Sequence, residues 1–438
     1  MSIGSLDGLL AQFQALGATR VLCKRLAEND NSKQQIYLGH GFDSLSLLPF
    51  GTVESDKSKT RPILKAAMPL YWLSDAGQMA PAKDTKLILY PQYPEVRMSG
   101  FLRGCPIAPA ASMRPVPQAQ RRFNNGPDGR LLFLAVLASQ EVVAYLALAG
   151  SAIGSEFAGR NQRKPFGTSG VFLDVPLSGV GDARSLLLRR LREIHRAGWH
   201  RSCRLHSDGT RHPYAARNGA GYTLEALFGI VPNGRAEPDF HGWELKACGS
   251  DRVTLMTPEP DLGYYGDKGV AAFVRRYGHV ADGDTLYFTG SHRFGRICSS
   301  TNQILTLRGF DAEGSRIIDV QGGIYLVTST GEDSAGWSFG RLLEHWGRKH
   351  ASAVYVPYEI RDGEIREYLY TSPAELGEGT NFVRFLKALA AGLVIYDPGS
   401  KLSAVNTRRP KAKARSQFRI RRQNLVSLYD RFTAESIL

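Results

Sequence analysis

The stretch that decides the fold of the C-terminal part is Pro238-Asp239-Phe240-His241-Gly242-Trp243-Glu244-Leu245-Lys246. An aspartate is followed five residues later by a glutamate, and a lysine stands two residues further on. Side chains two residues apart on a strand point to the same face, so we predict that Glu244 and Lys246 project together. A bend at Gly242 can bring the carboxylate of Asp239 alongside them.

Two carboxylates and an ammonium group suit metal-assisted hydrolysis of a phosphodiester. Carboxylate oxygens are ligands for Mg²⁺, which also keeps waters and contacts substrate phosphate. We therefore predict Asp239 and Glu244 as ligands of Mg²⁺ and Lys246 as the group that orients water or stabilises developing charge. The spacing alone also occurs by chance, and the alternative is a surface strand with a Glu–Lys pair.

A short helix is predicted just upstream of this strand. It opens at Thr223 or a neighbour and ends at Gly229, because glycine is favoured after a helix C-terminus. Glu225 is expected to point from this helix towards the strand. The alternative is an exposed first-turn glutamate that the helix dipole favours.

Several further motifs accompany Pro238–Lys246 along the chain: Gly198-Trp199-His200, Gly219-x-Gly221-x-Thr223-x-Glu225, Thr254-Leu255-Met256-Thr257-x-x-Pro260, Trp337-Ser338-Phe339 and Phe418-Arg419-Ile420. In order and spacing they resemble one family of DNA-cutting enzymes, the MvaI/BcnI restriction endonucleases. The resemblance runs from about Ala183 to Leu438. It implies an α/β PD-(D/E)XK nuclease fold related to the mismatch-repair nickase MutH.

The resemblance also implies a function for the matching residues. Members of the family act as monomers with one active site, require Mg²⁺ and cut short double-stranded sites. By this resemblance Asp239 and Glu244 are metal ligands, Lys246 positions the water and Glu225 is an accessory carboxylate. The chain is thus expected to be a type II site-specific deoxyribonuclease.

One departure concerns the residues that read DNA. Family members carry histidines just before the Phe-Arg-Ile strand, whereas Lys411–Gln417 has none, so the recognition sequence does not follow from the resemblance. Arg419 is predicted to read guanine, since bidentate arginine–guanine contacts are the commonest specific ones. The basic run Lys401–Asn424 holds nine Lys or Arg and no Asp or Glu. Further predicted DNA contacts on this side are Lys411, Lys413, Arg415, His292 and Arg293, although a lone histidine is more often structural.

The N-terminal part is predicted to be mostly β. After an amphipathic helix at Leu6–Leu16, short apolar segments are separated by turn signals. We predict strands at Thr19–Leu26, Gln35–Leu38, Lys86–Tyr90, Leu131–Ala138 and Glu141–Leu148. The Gly-, Ser- and Pro-rich stretch Gly159–Gly181 predicts a linker, with Asp182 as the N-cap of the next helix. We divide the chain into a domain at 1–160, a linker at 161–181 and a nuclease domain at 182–438.

A second, more scattered resemblance covers this N-terminal part. The segments Lys24–Asp30, Gln35–Leu38, Tyr90 with Tyr93, Arg97, Arg103-Gly104 and Gly129–Leu132 resemble the B3-like effector domain of EcoRII. The resemblance implies a β-pseudobarrel that binds a second DNA copy, as in a type IIE enzyme, with Lys24, Arg25, Arg97 and Arg103 as contacts. The alternative is an unrelated β domain that contacts DNA through Arg97, Arg103, Arg121 and Arg122, or that merely stabilises the chain.

Composition bounds the remaining possibilities. The chain of 438 residues carries a net charge of +14, which favours a nucleic-acid partner. Its five cysteines are scattered, which argues against a disulfide framework and fits a cytoplasmic protein. Neither a signal peptide nor a membrane span is predicted. The rival functions are a strand nickase, a nuclease that senses modified DNA and a non-catalytic DNA-binding protein.

Overall fold

The computed structural model describes residues 3–40, 43–56, 62–91, 95–124, 126–177, 183–232, 239–349 and 352–438. The chain divides into two compact units, with the main boundary between Arg189 and Arg190. None of the described helices is long and apolar enough to cross a membrane.

The first unit is built mostly from strands, as predicted. Its helices are α1 (Leu6–Ala15) and α2 (Ala152–Arg163), with short 3-10 turns at Asp43–Ser46 and Gln118–Gln120. Its strands are β1 (Ala18–Ala27), β2 (Gln35–His40), β3 (Val53–Asp56, whose last two residues are assigned to the second unit), β4 (Ile63–Ala67), β5 (Leu70–Leu73), β6 (Met79–Ala82), β7 (Lys86–Tyr90), β8 (Glu95–Ser99), β9 (Pro127–Leu137), β10 (Val142–Ala147), β11 (Gly167–Ser169) and β12 (Phe172–Asp174).

These strands form two sheets. The larger has the order β11-β12-β1-β9-β10-β5-β6 and the smaller the order β2-β8-β7-β4-β3. Strands β9 and β10 pair in antiparallel fashion, so the apolar run Leu131–Gly150 is a hairpin, as predicted. Helix α1 begins after Ser5, whose side chain accepts a hydrogen bond from the backbone of Gly8. Its apolar face, with Phe13 fully buried, lies in the core formed with β1, β9, β10 and α2.

The predicted linker is wrong over its described part. Residues up to Arg163 belong to α2, and the following chain forms β11 and β12. These two strands pair with each other, and β12 also pairs with β1, where Phe172 lies opposite Lys24. Of the glycines that suggested a linker, Gly170 lies in the turn between β11 and β12, with a φ of +59°. Residues 178–182, including the predicted N-cap Asp182 and the predicted domain boundary, lie outside the described residues.

The second unit combines helices and strands in several sheets. Its helices are α3 (Ala183–Arg196, which the boundary crosses), α4 (Gly219–Leu227), α5 (Gly263–Tyr277), α6 (Phe339–Lys349) and α7 (Phe382–Ala390), with a 3-10 turn at Arg422–Leu428. Its strands are β13 (His200–Arg201), β14 (Cys203–Leu205), β15 (Arg211–Pro213), β16 (Trp243–Cys248), β17 (Arg252–Met256), β18 (His279–Asp282), β19 (Thr285–Thr289), β20 (Ile297–Cys298), β21 (Gln303–Arg308), β22 (Phe310–Asp311), β23 (Arg316–Ile317), β24 (Gly323–Thr328), β25 (Asp333–Ser338), β26 (Ser352–Arg361), β27 (Glu367–Tyr370), β28 (Ala374–Glu378), β29 (Val394–Tyr396), β30 (Gly399–Ser403), β31 (Lys411–Lys413), β32 (Phe418–Arg421) and β33 (Arg431–Glu435).

The central sheet positions the predicted catalytic strand. Its order is β13-β27-β26-β28-β33, and β16 pairs in parallel with β26. Smaller sheets have the orders β17-β32-β29, β18-β19-β30-β31 and β20-β21-β24-β25. The mixed α/β class predicted for this part is confirmed.

Helix α4 starts earlier than predicted. It begins at Gly219, so Thr223 lies inside it, and the Thr223 hydroxyl accepts a hydrogen bond from the backbone of Cys203 at 3.0 Å. The end agrees with the prediction, because Gly229 follows the helix with a φ of +76°.

Candidate active site

A tight turn folds the predicted catalytic segment back on itself. His241 and Gly242 both have positive φ, at 45° and 86°. On either side of them, Phe240 and Trp243 exchange two backbone hydrogen bonds of 2.9 and 2.8 Å. Positive φ at both central residues is typical of a two-residue hairpin turn. The turn places Asp239 beside the strand, where its Oδ2 accepts a hydrogen bond from the backbone of Leu245 at 2.8 Å.

Strand β16 brings Glu244 and Lys246 to one face. The Lys246 ammonium donates a hydrogen bond to Oε1 of Glu244. Glu244 is buried, with 2% of its surface exposed, and the Lys246 side chain is 23% exposed. On the neighbouring strand β26, Tyr355 lies opposite Lys246 in the parallel register. The structure therefore brings the predicted carboxylates and the ammonium into one cluster.

The electrostatics of the cluster reflect crowding of negative charge. Burial, with the charges of Glu244 and Glu225, raises the pKa of Asp239 to about 7, although the hydrogen bond from Leu245 and the charge of Lys246 oppose the shift. Burial acts to lower the pKa of Lys246, but the carboxylates of Glu244, Asp239 and Glu225 outweigh it and raise that pKa. Lys246 therefore keeps its proton at neutral pH.

Glu225 acts on the cluster from helix α4. Its charge affects the pKa of both Asp239 and Lys246, and α4 packs against β16. The buried hydroxyl of Thr223, two residues earlier, fixes the helix to Cys203 on β14. All four residues predicted as catalytic, Asp239, Glu225, Glu244 and Lys246, therefore belong to one electrostatic group.

Two buried tyrosines behind the cluster were missed from the sequence. The hydroxyls of Tyr355 and Tyr429 are 2.6 Å apart. Burial raises the pKa of both, and the negative charge of Glu244 adds to the effect. Both phenols therefore stay neutral near the carboxylates. No spacing relates these tyrosines to the catalytic segment, because the pairing of β16 with β26 brings Tyr355 there.

The donor set fits a divalent ion of the magnesium type. Within the described ranges, no group of three or more His, Cys, Asp or Glu side chains is arranged to hold a metal. Mg²⁺ is usually bound by one or two carboxylates, with waters and substrate phosphate completing its octahedron. Asp239 and Glu244 provide two such carboxylates.

The basic residues predicted to contact DNA in the second unit differ in their exposure and in their partners. Lys411, Lys413 and Arg415 are exposed on β31 and just after it. Arg419 instead donates from Nη1 to Oδ2 of Asp397 at 2.7 Å, and its side chain is 24% exposed. Arg293 lines a cleft of about 170 Å³ together with Arg252, Arg421, Gln423 and Asn424.

Two predicted DNA contacts are wrong. His292 is fully buried, and its ring nitrogens lie 2.8 Å from the hydroxyl of Thr301 and 3.4 Å from the carbonyl of Tyr396. Lys24 is also buried, and its ammonium pairs with Asp30 at 2.5 Å. Neither side chain can reach a phosphate, because each points into a core where a polar partner satisfies it.

The predicted arginines of the first unit are accessible. Arg25 and Arg103 are exposed, and Arg25 lines a cavity of about 420 Å³. Arg97 is partly exposed, pairs with Glu95 at 2.9 Å and lies 5.6 Å from the ring centre of Tyr90. Tyr93, from the same predicted motif, lies outside the described residues.

Known proteins resemble this chain in two ways. Residues 188–429 match the MvaI/BcnI restriction endonuclease family. No curated protein matches. Three solved structures share partial similarity with the chain. "Restriction endonuclease MvaI-cognate DNA substrate complex" has 19% identity over 59% of this chain and 100% of that one, with a TM-score of 0.45. "Restriction endonuclease MvaI in the absence of DNA" has 16% identity over the same shares, with a TM-score of 0.33.

The third structure is the UbaLAI restriction endonuclease B3 domain with cognate DNA, at 16% identity over 38% of this chain and 96% of that one, with a TM-score of 0.23. These structural scores are low, so family membership follows from the sequence match. That match covers more than half of the chain and includes Asp239, Glu244 and Lys246. The chain therefore belongs to the MvaI/BcnI restriction endonuclease family, whose members are site-specific DNA endonucleases.

Proposed function

We propose that the second unit cuts both strands of a specific DNA duplex in a Mg²⁺-dependent reaction. Asp239 and Glu244 hold the metal, Lys246 acts on the reacting phosphate or water, and Glu225 is the accessory carboxylate. The observation that carries this proposal is the cluster of Asp239, Glu244 and Lys246 at β16. There the Asp239 carboxylate lies against the strand and accepts a hydrogen bond from the backbone of Leu245 at 2.8 Å.

The chain's own residues have distinct tasks in this reaction. Bound Mg²⁺ supplies a Lewis acid and a water of lowered pKa. The backbone of Leu245 fixes the orientation of the Asp239 carboxylate, so one ligand position is preorganised. The Lys246 ammonium, whose proton the surrounding carboxylates retain, donates hydrogen bonds to negative charge that develops on the phosphate. The charge of Glu225, on α4, adds to the effect of Glu244 and Asp239 on the pKa of Lys246.

We further propose that the first unit is a B3-like DNA-binding domain that binds a second copy of the duplex, as in a type IIE enzyme. The supporting observations are its separate core, its two sheets and its exposed arginines Arg25 and Arg103. On this proposal the nuclease domain starts close to Ala183, and the hairpin β11–β12 belongs to the DNA-binding domain.

The test of the nuclease is digestion of supercoiled plasmid DNA with Mg²⁺, followed by sequencing of the ends. Full-length protein is compared with Glu244→Gln and with Glu367→Gln, a control on the same sheet whose carboxylate pairs with Arg361 at 3.4 Å. We expect linear product with wild type and Glu367→Gln and none with Glu244→Gln.

Other outcomes decide between the rival functions. Accumulation of open-circular plasmid alone would identify a nickase. Retained DNA binding without any cleavage by wild type would identify a non-catalytic DNA-binding protein. Normal cleavage by Glu244→Gln would reject the assignment of the site.

A further inference from the structure

The loop before β9 displays an aromatic side chain to solvent. Phe123 is 105% exposed, and the other exposed large hydrophobic residues that the structure describes are not aromatic. The segment Phe101–Pro127 contains four arginines and no Asp or Glu. Two of these arginines, Arg121 and Arg122, directly precede Phe123. An exposed ring with flanking positive charge thus stands at this edge of the first unit.

The exposure of Phe123 does not result from a loosely attached loop. The carboxylate of Glu28, which is 8% exposed, accepts hydrogen bonds from the backbone and Nε of Arg122 at 2.8 and 2.7 Å. The backbone N–H of Glu28 donates to the carbonyl of Gly126 at 3.1 Å, and its carbonyl accepts from Val116 at 3.0 Å. Glu28 therefore holds the loop at Arg122 and at Gly126, and Phe123 lies between these two contacts.

The chemistry of this surface favours duplex DNA as the partner. Burial of a phenyl ring is favourable, so a ring held fully in water gains free energy when a flat apolar face covers it. DNA offers such faces at its base steps, next to phosphates that attract arginine. Arg122 remains 58% exposed despite its ion pair and can therefore face a phosphate. An acidic protein surface would satisfy the arginines but offers no comparable stack of flat faces.

We propose that Phe123 is an aromatic wedge that stacks against a base of duplex DNA bound by the first unit, with Arg121 and Arg122 on the adjacent phosphates. This inference rests on the proposed DNA-binding function of that unit and names the group that contacts bases. Glu28 is the positioning residue, because it holds the loop from a buried site.

The first test is photo-crosslinking in the full-length chain carrying Asp239→Asn to prevent cleavage. Phe123 is replaced by benzoylphenylalanine, with the same replacement at Met79 as a control in the same unit, since Met79 is also exposed, at 41%. With mixed-sequence plasmid fragments, we expect DNA adducts from position 123 and none from position 79. Adducts only between two protein chains would reassign the loop to a protein contact, and the absence of adducts would also overturn the wedge.

A third probe separates the wedge from the proposed function of the unit. Benzoylphenylalanine is placed at Arg103, which is exposed on the same unit. If the unit binds DNA but Phe123 is not a wedge, position 103 forms DNA adducts and position 123 does not. If the unit does not bind DNA, neither position forms them, and both proposals fail.

The second test detects unstacking of bases directly. Permanganate oxidises thymines that have lost their stacking partners. We expect reactive thymines in DNA bound by the full-length chain, their loss with Phe123→Ala and their retention with Phe123→Trp. An unchanged midpoint of urea denaturation for Phe123→Ala would show that its fold is intact, since the side chain is fully exposed. Thymines that are equally reactive with Phe123→Ala, or that never react with wild type, would overturn the proposal.

Discussion

Replacement of Asp239 by asparagine should stabilise the metal-free protein while abolishing cleavage. The pKa of Asp239 is raised from 3.8 to about 7, first by burial and then by the charge of Glu244. The folded state therefore holds this proton more tightly than the unfolded chain does. The folded state thus loses stability as the pH rises from 3.8 to about 7, and above about pH 7 the full free-energy cost of ionising Asp239 is present.

The magnitude follows from the size of the shift. The shift from 3.8 to about 7 is about 3 pKa units, and one unit corresponds to about 1.4 kcal/mol, so the ionised Asp239 carboxyl costs about 4 kcal/mol at pH 8 in the absence of metal. Asparagine keeps the size of the side chain and an oxygen that can accept the hydrogen bond from Leu245. We therefore expect Asp239→Asn to raise the free energy of unfolding, with an advantage that grows by about 2–3 kcal/mol between about pH 5 and pH 8.

The assay is urea denaturation in EDTA at several pH values, followed by tryptophan fluorescence. Glu367→Gln serves as the control, and its effect should stay within about 0.5 kcal/mol at each pH. Addition of Mg²⁺ should stabilise wild type more than Asp239→Asn, because a ligand that binds only the folded state stabilises it by mass action. An advantage of Asp239→Asn that is absent at pH 8, or that does not change with pH, would refute the reasoning.

Three further predictions concern cleavage and recognition. Glu244→Gln should lower the cleavage rate by a factor of at least about several hundred while DNA binding persists, as gel-shift and plasmid assays would show; near-normal cleavage would contradict the assignment. Arg419→Ala should cost about 1–3 kcal/mol of discrimination between the true site and random DNA. Lys411→Ala should instead weaken binding to all DNA sequences alike and lower the salt dependence of binding. If Arg419→Ala also weakens binding to all sequences alike, Arg419 contacts the DNA backbone and not a base. Full-length protein should cut two-site plasmids faster than one-site plasmids, and an added short duplex that carries the site should restore cleavage of the one-site plasmid. A chain starting at Ala183 should cut both plasmids at the same rate. Equal rates for full-length protein would remove the effector role.

The features that could be predicted from sequence are those set by local geometry. Alternation along β16 places Glu244 and Lys246 on one face, and a turn at Gly242 returns Asp239 to them. The strand-rich character of the first unit and the β9–β10 hairpin follow from short apolar segments with turn residues between them. In each case the decisive residues lie within a few positions of one another.

The errors arose where burial, hydrogen-bond partners or backbone breaks that the local residue pattern does not reveal decide the outcome. Lys24 and His292 look like exposed basic residues, but Asp30 and Thr301 satisfy them inside a core. Arg419 pairs with Asp397 because β29 pairs with β32, and the Phe-Arg-Ile motif contains no sequence signal for that partner. Helix α5 was missed because its glycines weaken the helical pattern, and Gly269 interrupts it with a φ of +76°.

The parallel pairing of β16 with β26 has a consequence for biosynthesis. The catalytic strand ends at Cys248, yet its partner β26 starts at Ser352, and the sheet continues through β28 to β33, which starts at Arg431. At ribosomal rates of about 5–20 residues per second, about 10–40 s pass between synthesis of the catalytic carboxylates and of the strand that completes their sheet. During that interval the nascent chain carries the chemical groups of a nuclease without the sheet that aligns them. A chain interrupted before Ser352 would therefore carry the proposed catalytic groups without the sheet that aligns them, and we expect such a fragment not to cut DNA.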